Sequence, residues 1–386
     1  MRPVIDARRV VGLDVARALA LVGMMATHIL LALDGAELSL SHQIASGRAS
    51  ALFAVLAGVS IALMSGRTTP QRGRERTATA AGLAVRALII AGIGLLLAEA
   101  DSGIAVILTY YGVLFVLAIP FLGLGARALA VLSAMWLVVA PVVSHLVRPE
   151  LPAPSYRSPS LDSLTEPWQL LTELTFTGYY PAVPWVAYLL AGMAVGRLSL
   201  ASGRTAARLA VLGVGAAAVS WLVSEALVSV PGVRRTLGET FVGPVTGNSL
   251  SLTLDRGLYG TTPTGSWWWL AVHAPHSATP FDLAHTIGTS LLVIGFCLAV
   301  GRLAPRTLAV LFGAGAMTLT LYSAHVVSRH PGWWDGDDRG TFLAQVGLVL
   351  LVGAAFRAAG SRGPLETVVA AAQNGVRRAV AARPRR

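Results

Sequence analysis

One apolar stretch, VGLDVARALALVGMMATHILLAL at residues 11–33, carries an acid, a guanidinium and an imidazole. Ionisable groups in a membrane-length segment are costly and face a protein interior or a water-filled cavity. On a helix, Arg17 and His28 differ by only about 20° and share a face, and Asp14 lies about 60° from Arg17 on the same side. The rise between Arg17 and His28 is roughly 16 Å, half the hydrocarbon thickness of a bilayer. A guanidinium grips phosphate. An imidazole in a dry site takes a proton from an attacking hydroxyl or amine. The stripe therefore suits a long, thin anionic donor such as acyl-coenzyme A, with Asp14 and Arg17 at the anionic end and His28 at the reacting end. The plainer alternative is an ion pair at a helix start and a histidine bonded to a neighbouring helix. Three ionisable residues on one face favour a lined cavity.

Other residues could join either end. Arg86 is expected near the level of Arg17, where it could share an anionic donor or merely snorkel. His325, in LTLYSAHVV, is expected at the depth of His28, so the two could meet in one pocket. His42 and Arg48 flank the start of the second apolar run. HAPHSATPFDLAH holds His273, His276, Asp282 and His285, of which His276, Asp282 and His285 are candidates to line an acceptor site. Their spacing allows two or three metal ligands on one loop, but no cysteine or H-E-x-x-H helix supports that, and no metal is expected. Glu99, Asp101, Glu173 and Glu225 could each orient a histidine.

The elements that must position these residues are membrane spans. The chain has 386 residues, 54% hydrophobic and 13% charged, against about 25% charged in an ordinary soluble domain. Apolar runs at 10–33, 49–65, 79–98, 103–122, 127–147, 182–200, 207–228, 283–302, 306–328 and 341–358 read as about ten transmembrane helices of an all-α integral membrane protein, a polytopic bundle. The first is an uncleaved span, too long and too charged for a signal peptide. The net charge of +11 comes entirely from arginine. Most arginines sit in short loops between runs: Arg8 and Arg9, RTTPQRGRER, Arg127, GRLSLASGRTAAR, GRLAPR and the tail. That distribution is topology information, not a nucleic-acid footprint. It predicts both termini in the cytoplasm and two long extracytoplasmic loops, 148–181 and 229–282. Residues 1–363 form one transmembrane domain. The tail, 364–386, mixes basic and apolar residues at helical spacing and is expected on the inner leaflet. Trp267 to Trp269 suit an interfacial aromatic belt, or a lid over a sugar or lipid. Cys297, the lone cysteine, has no disulfide partner within the chain and reads as buried.

At this point the sequence resembles known families. GLDVARALALVGMMATHI is similar to the first-helix motif of the transmembrane acyltransferase superfamily, and Arg17 and His28 match the Arg–His motif of acyltransferase-3 proteins. LFAVLAGVSIAL, TGYYPAVPWVAYLLAGMAVGR, MTLTLYSAHVV and RGPLE resemble the bacterial heparan-alpha-glucosaminide N-acetyltransferase-like group, so the resemblance runs from about residue 10 to 366. It implies an acetyltransferase in the plasma membrane of a bacterium. Such an enzyme takes an acetyl or other acyl group from cytoplasmic acyl-coenzyme A and passes it to an amine or hydroxyl of an extracytoplasmic glycan or glycolipid. Arg17 would contact the donor and His28 would be catalytic. The glucosaminide enzymes tend to carry Asn where this chain has His28 and use a histidine before the second span, so His28, His42 or both could act. Membrane lipids, the donor and the acceptor are the expected partners, with a homodimer left open. A transporter or flippase of a glycan or lipid intermediate is the alternative, since intramembrane charge and many spans fit it too.

Overall fold

The computed structural model describes residues 9–35, 37–241, 250–331, 333–334 and 337–382. Arg8, residues 242–249 of the second long loop and the last four residues of the tail lie outside these. Among the described residues the chain is helical apart from one hairpin of two-residue strands, Leu33–Asp34 and Glu37–Leu38. The helices are α1 Val11–Ile29, α2 Leu40–Ala45, α3 Arg48–Met64, α4 Gly73–Ala98, α5 Leu108–Ala118, α6 Ala126–Val147, α7 Pro167–Thr172, α8 Ala182–Gly196, α9 Gly203–Val228, α10 Val233–Glu239, α11 Leu250–Arg256, α12 Pro280–Val300, α13 Pro305–Leu311, α14 Thr318–Ser328, α15 Asp338–Ala358 and α16 Pro364–Ala382.

Seven helical segments among them are long and apolar enough to cross a membrane: α1, α2–α3 taken together, α4, α6 with its following turn, α9, α12 and α15. The other three expected spans are also helical but shorter or broken. The fourth runs Leu108–Gly123 and ends in a 3-10 turn, and the sixth, α8, has fifteen residues. The ninth, expected as one helix over 306–328, is instead split into α13, a 3-10 turn Gly313–Ala316, and α14.

Burial sorts the bundle into a centre and a ring. Two thirds of the apolar window of α1 is buried but only 22% of that of α15 and 28% of those of α4, α6 and α9. α8 is buried along nearly its whole length. Small residues let the central backbones close up, as membrane helices require when no hydrophobic force drives them together. Gly192 of α8 sits on the Val55 carbonyl of α3 and Gly58 of α3 on the Leu189 carbonyl of α8, so a Cβ at either position would collide with backbone. Arg197, just past α8, donates to the carbonyls of Ala62, Ser65, Arg67, Leu122 and Leu124. It staples three helix ends together, so this loop arginine is a structural element rather than a topology marker alone.

The broken ninth span has a local cause. Gly315 packs against the Asp14 backbone of α1, and Gly313 against Gly353 of α15. The turn wedges between two helices that a continuous helix would hold apart. The first turn of α14, which follows the break, finds partners: Glu366 accepts from the Leu319 amide at 2.7 Å, the Thr320 amide at 3.2 Å and the Thr320 hydroxyl at 2.6 Å. Irregular backbone inside a membrane bundle needs such partners. The tail helix α16 thus packs against α4 and α14, with Val369 and Gln373 buried, rather than only resting on a lipid surface.

Candidate active site

α1 runs between two cavities. One, about 100 Å³, is bordered by Arg17, Ser60, Arg86, Tyr111, Phe115 and Tyr322 among mostly apolar side chains. The other, about 890 Å³, is bordered by His28, His42, Tyr179, Tyr180, His276 and Arg329 among others. Met24, buried and lying between Arg17 and His28 on the same helix, borders both.

At the first end, Arg17 donates to Asp14 at 2.9 Å and to the Ser60 hydroxyl at 2.9 Å. Asp14 also pairs with Arg9. The carboxylate is therefore shared by two guanidiniums and does not border the cavity. Its place is behind Arg17, holding that side chain toward α3, and it is not positioned as a donor contact as expected. Arg86 lies 5.6 Å from the Phe115 ring centroid in a cation–π contact and borders the same cavity as Arg17. Two guanidiniums thus face one apolar cavity. The Tyr111 hydroxyl, also on its wall, is buried without a hydrogen-bond partner.

At the second end, His28 Nδ1 lies 3.2 Å from His325 Nε2, and the rings stack with centroids 5.4 Å apart. His325 Nδ1 lies 2.8 Å from Gln345 Oε1. The amide oxygen accepts only, so Nδ1 of His325 carries the proton and a neutral His325 presents Nε2 as an acceptor. His28 then donates from Nδ1 and keeps a lone pair on Nε2. This assignment follows from the hydrogen-bond chain. His28 borders the cleft whereas His325 stands behind it, so a base and the group that orients it lie in line.

The other expected residues divide between clefts. His42 on α2, with Ser39 and Ser41 hydroxyls 3.3 and 3.4 Å from Nδ1, borders the His28 cleft and also a neighbouring one of about 580 Å³. Of the expected substrate-binding residues, Arg48, Asp282 and His285 border the neighbouring cleft and His276 that of His28, so they fall on two clefts. In the neighbouring cleft Arg48 Nε donates to His285 Nε2 at 3.2 Å, and His285 Nδ1 bonds the Ala217 carbonyl at 3.1 Å. Asp282 accepts from the Ala278 amide at 3.0 Å and so holds the loop that carries His276. That loop is strained: His276 and Ala278 have φ of 55° and 53°, a region costly for residues with a Cβ. His276 Nδ1 is buried without a partner, and burial lowers its pKa to about 4. Of the four acids, Glu225 alone meets a histidine, His273 at 3.6 Å. Glu173 accepts from Ser155 and Gln169, Glu99 from Leu161, and Asp101 borders the His28 cleft. Among the described residues no group of three metal-ligating side chains occurs.

Several site residues were not singled out in the sequence. Gln345 is a buried amide inside an apolar span, and its type alone marks it as costly there. Tyr179, Tyr180 and Tyr259 form a wall of the His28 cleft with ring centroids 4.7 and 4.6 Å from Tyr179. Burial raises all three phenol pKa values, that of Tyr259 to about 12, so each stays a hydrogen-bond donor at neutral pH. The wall follows a π-helical turn, Glu173–Thr177, a geometry frequent at functional sites. The three tryptophans do not act together: Trp269 is fully buried against Phe241 near α10, and Trp267 and Trp268 are exposed.

No curated protein matches the chain significantly. Residues 9–226, more than half of the sequence, match the family model described as Heparan-alpha-glucosaminide N-acetyltransferase, catalytic. Arg17, His28, His42, Arg86 and the tyrosine pair lie inside the match, and His276, His325 and Gln345 lie beyond it. The chain belongs to the heparan-alpha-glucosaminide N-acetyltransferase catalytic family.

Proposed function

We propose that the protein transfers an acetyl group from cytoplasmic acetyl-coenzyme A to an amine or hydroxyl of an extracytoplasmic glycan, in the plasma membrane of a bacterium. What supports this most is one observation: two cavities, one with guanidiniums and one with imidazoles and phenols, meet at Met24 on a single helix. Arg17 and Arg86 bind the anionic part of the donor, and the apolar walls between them and Met24 bind its pantetheine arm. The thioester passes Met24 and reaches His28.

There the acceptor nitrogen or oxygen attacks the thioester carbonyl carbon. His28 Nε2 takes the proton that the attacking atom loses. The carbon–sulfur bond breaks, and the coenzyme A thiolate leaves with the proton that His28 returns. His325 receives the Nδ1–H of His28 throughout and steadies the imidazolium that forms, while Gln345 fixes the tautomer of His325. Tyrosine hydroxyls of the wall and His276 hold the acceptor. His42, at the junction of two clefts, orients it. Both termini are cytoplasmic in this reading, since Arg9 and Glu366 lie at the Arg17 end of the bundle.

The test is transfer across a membrane. Protein in sealed liposomes receives radiolabelled acetyl-coenzyme A on one face and amino sugar on the other. Label on the sugar only in that arrangement is expected. Label appearing only when both lie on one face contradicts the reading, and uptake of unmodified sugar identifies a transporter instead.

A further inference from the structure

The proposed transfer leaves one charge without a counter-charge. When the acceptor attacks, the carbonyl π electrons move onto the thioester oxygen, and His28 takes a proton, not that negative charge. Donors fixed in place for such an oxyanion are usually the largest single contribution to acyl transfer. The His28 cleft has one enclosed cation to offer. Of the carboxylates and guanidiniums on its border, Glu99, Asp101, Arg157, Asp162 and Arg256 are exposed, and Arg329 is the exception.

Arg329 follows His325 by four residues at the end of α14, so the two share a face about 6 Å apart along the axis. His325 meets His28 at 3.2 Å, and Arg329 is near enough for its charge to act on both rings. The backbone that carries it is tied down. Its amide bonds the Val326 carbonyl at 3.2 Å, and the Ser328 hydroxyl donates to the His325 carbonyl at 2.7 Å. The next residue, His330, donates from Nδ1 to the Ala100 carbonyl at 3.0 Å. Arg329 Nε is buried without a hydrogen-bond partner. Among the described residues no carboxylate lies within ion-pair distance of its guanidinium. Enclosed guanidiniums are ordinarily paired, because a lone buried charge is costly. An anion formed beside this one is therefore stabilised. The other buried nitrogen without a partner on this cleft, His276 Nδ1, belongs to an imidazole that is neutral at pH 7 and supplies no charge.

We infer that Arg329 is a further catalytic residue: its guanidinium donates to the thioester carbonyl oxygen as the acceptor attacks and balances the alkoxide that forms. The electron pair then returns from oxygen to carbon, the carbonyl re-forms as amide or ester, the carbon–sulfur bond breaks, and the thiolate leaves with the proton from His28. The role rests on the transferase reading and adds the group that holds its oxyanion.

Thiol release from acetyl-coenzyme A by detergent-purified protein tests this, with glucosamine or water alone as the attacking species, since both routes pass through the oxyanion. Arg329→Gln is expected to lower kcat about 10²–10³-fold, with KM for acetyl-coenzyme A and glucosamine unchanged. Arg329→Lys, which keeps the charge without the planar fork, should recover part of the loss. Acetyl-coenzyme A binding by calorimetry is the folding control for both variants. Unchanged kcat in Arg329→Gln overturns the inference and leaves the transferase. So does a raised glucosamine KM at unchanged kcat, which would make Arg329 an anchor for the acceptor. Equal loss in both variants overturns it too, as the mark of a structural role. No thiol release by the wild type, with or without glucosamine, removes the transferase reading and this role with it.

Discussion

The two cavities that meet on α1 differ in size and in what they offer. The Arg17 cavity is about 100 Å³ with apolar walls and two guanidiniums; the His28 cleft is about 890 Å³ with imidazoles, phenols and a strained loop. Each keeps a buried polar atom without a partner, the Tyr111 hydroxyl in one and His276 Nδ1 in the other. A narrow apolar passage ending in cations fits a thin anionic molecule with a flexible arm. A wide polar cleft fits a hydroxylated one. The helix between them gives each an ionisable residue, Arg17 to one and His28 to the other, and in the proposed reading it divides recognition of donor from chemistry on acceptor.

If that division is real, substitutions on the two sides of Met24 must separate. His28→Ala has the largest expected effect: turnover falls by about 10²–10⁴-fold, the usual worth of a general base, with acetyl-coenzyme A affinity unchanged. Steady-state kinetics together with calorimetry check both halves; unaltered turnover removes His28 from the chemistry. Next is Met24→Trp, which closes the passage. Transfer should drop about 10²-fold, as misplacement of a reacting group by an ångström can do, while the Arg17 side still binds coenzyme A. A block that also abolishes binding would show that the cavities are not separate compartments.

Gln345→Leu should lower kcat about tenfold with little change in donor KM, because His325 loses the acceptor that fixes its tautomer. A shifted pH–rate profile that Gln345→Glu restores would mark positioning; equal losses in both variants would mark a packing role only.

The smallest expected effect is on stability. Burial lowers His276 to about 4, below the unfolded value of about 6.5. Between these values the unfolded chain binds the extra proton, so the contribution is present above the unfolded value and is lost as pH falls toward 4. Melting curves from pH 7 to 4 should therefore fall less steeply for His276→Asn than for the wild type. Parallel curves would show that His276 does not carry this dependence.

The helices were legible because bilayer length and composition leave little choice: seven of the expected runs hold a helical segment long and apolar enough to cross a membrane, and the other three are helical in part. The shared face of Arg17 and His28 was legible for the same reason, since one helix fixes the angle between residues eleven apart. What one helix does not fix was harder to read. Gln345 meets His325 across two helices, and Arg48 meets His285 over an interval of 237 residues. Such pairs depend on how helices rotate against each other, which hydropathy does not encode. The break at Gly313–Ala316 was hidden because glycine and alanine keep the apolar run continuous while backbone packing on Asp14 and Gly353 bends the chain. Asp14 read as a donor contact because spacing placed it beside Arg17, yet Arg9 and Arg17 occupy both its oxygens.

That last pairing makes the central claim testable. Removing one partner of a buried ion pair ordinarily costs about 3–5 kcal/mol, but Arg9 keeps Asp14 paired when Arg17 is lost, so Arg17→Ala should fold. The measurement is acetyl-coenzyme A binding by calorimetry to the wild type, Arg17→Ala and His28→Ala in parallel. Binding weakened at least about tenfold by Arg17→Ala and untouched by His28→Ala is the predicted result. Equal binding by the wild type and Arg17→Ala, or binding lost only in His28→Ala, would contradict the division of donor and acceptor along α1.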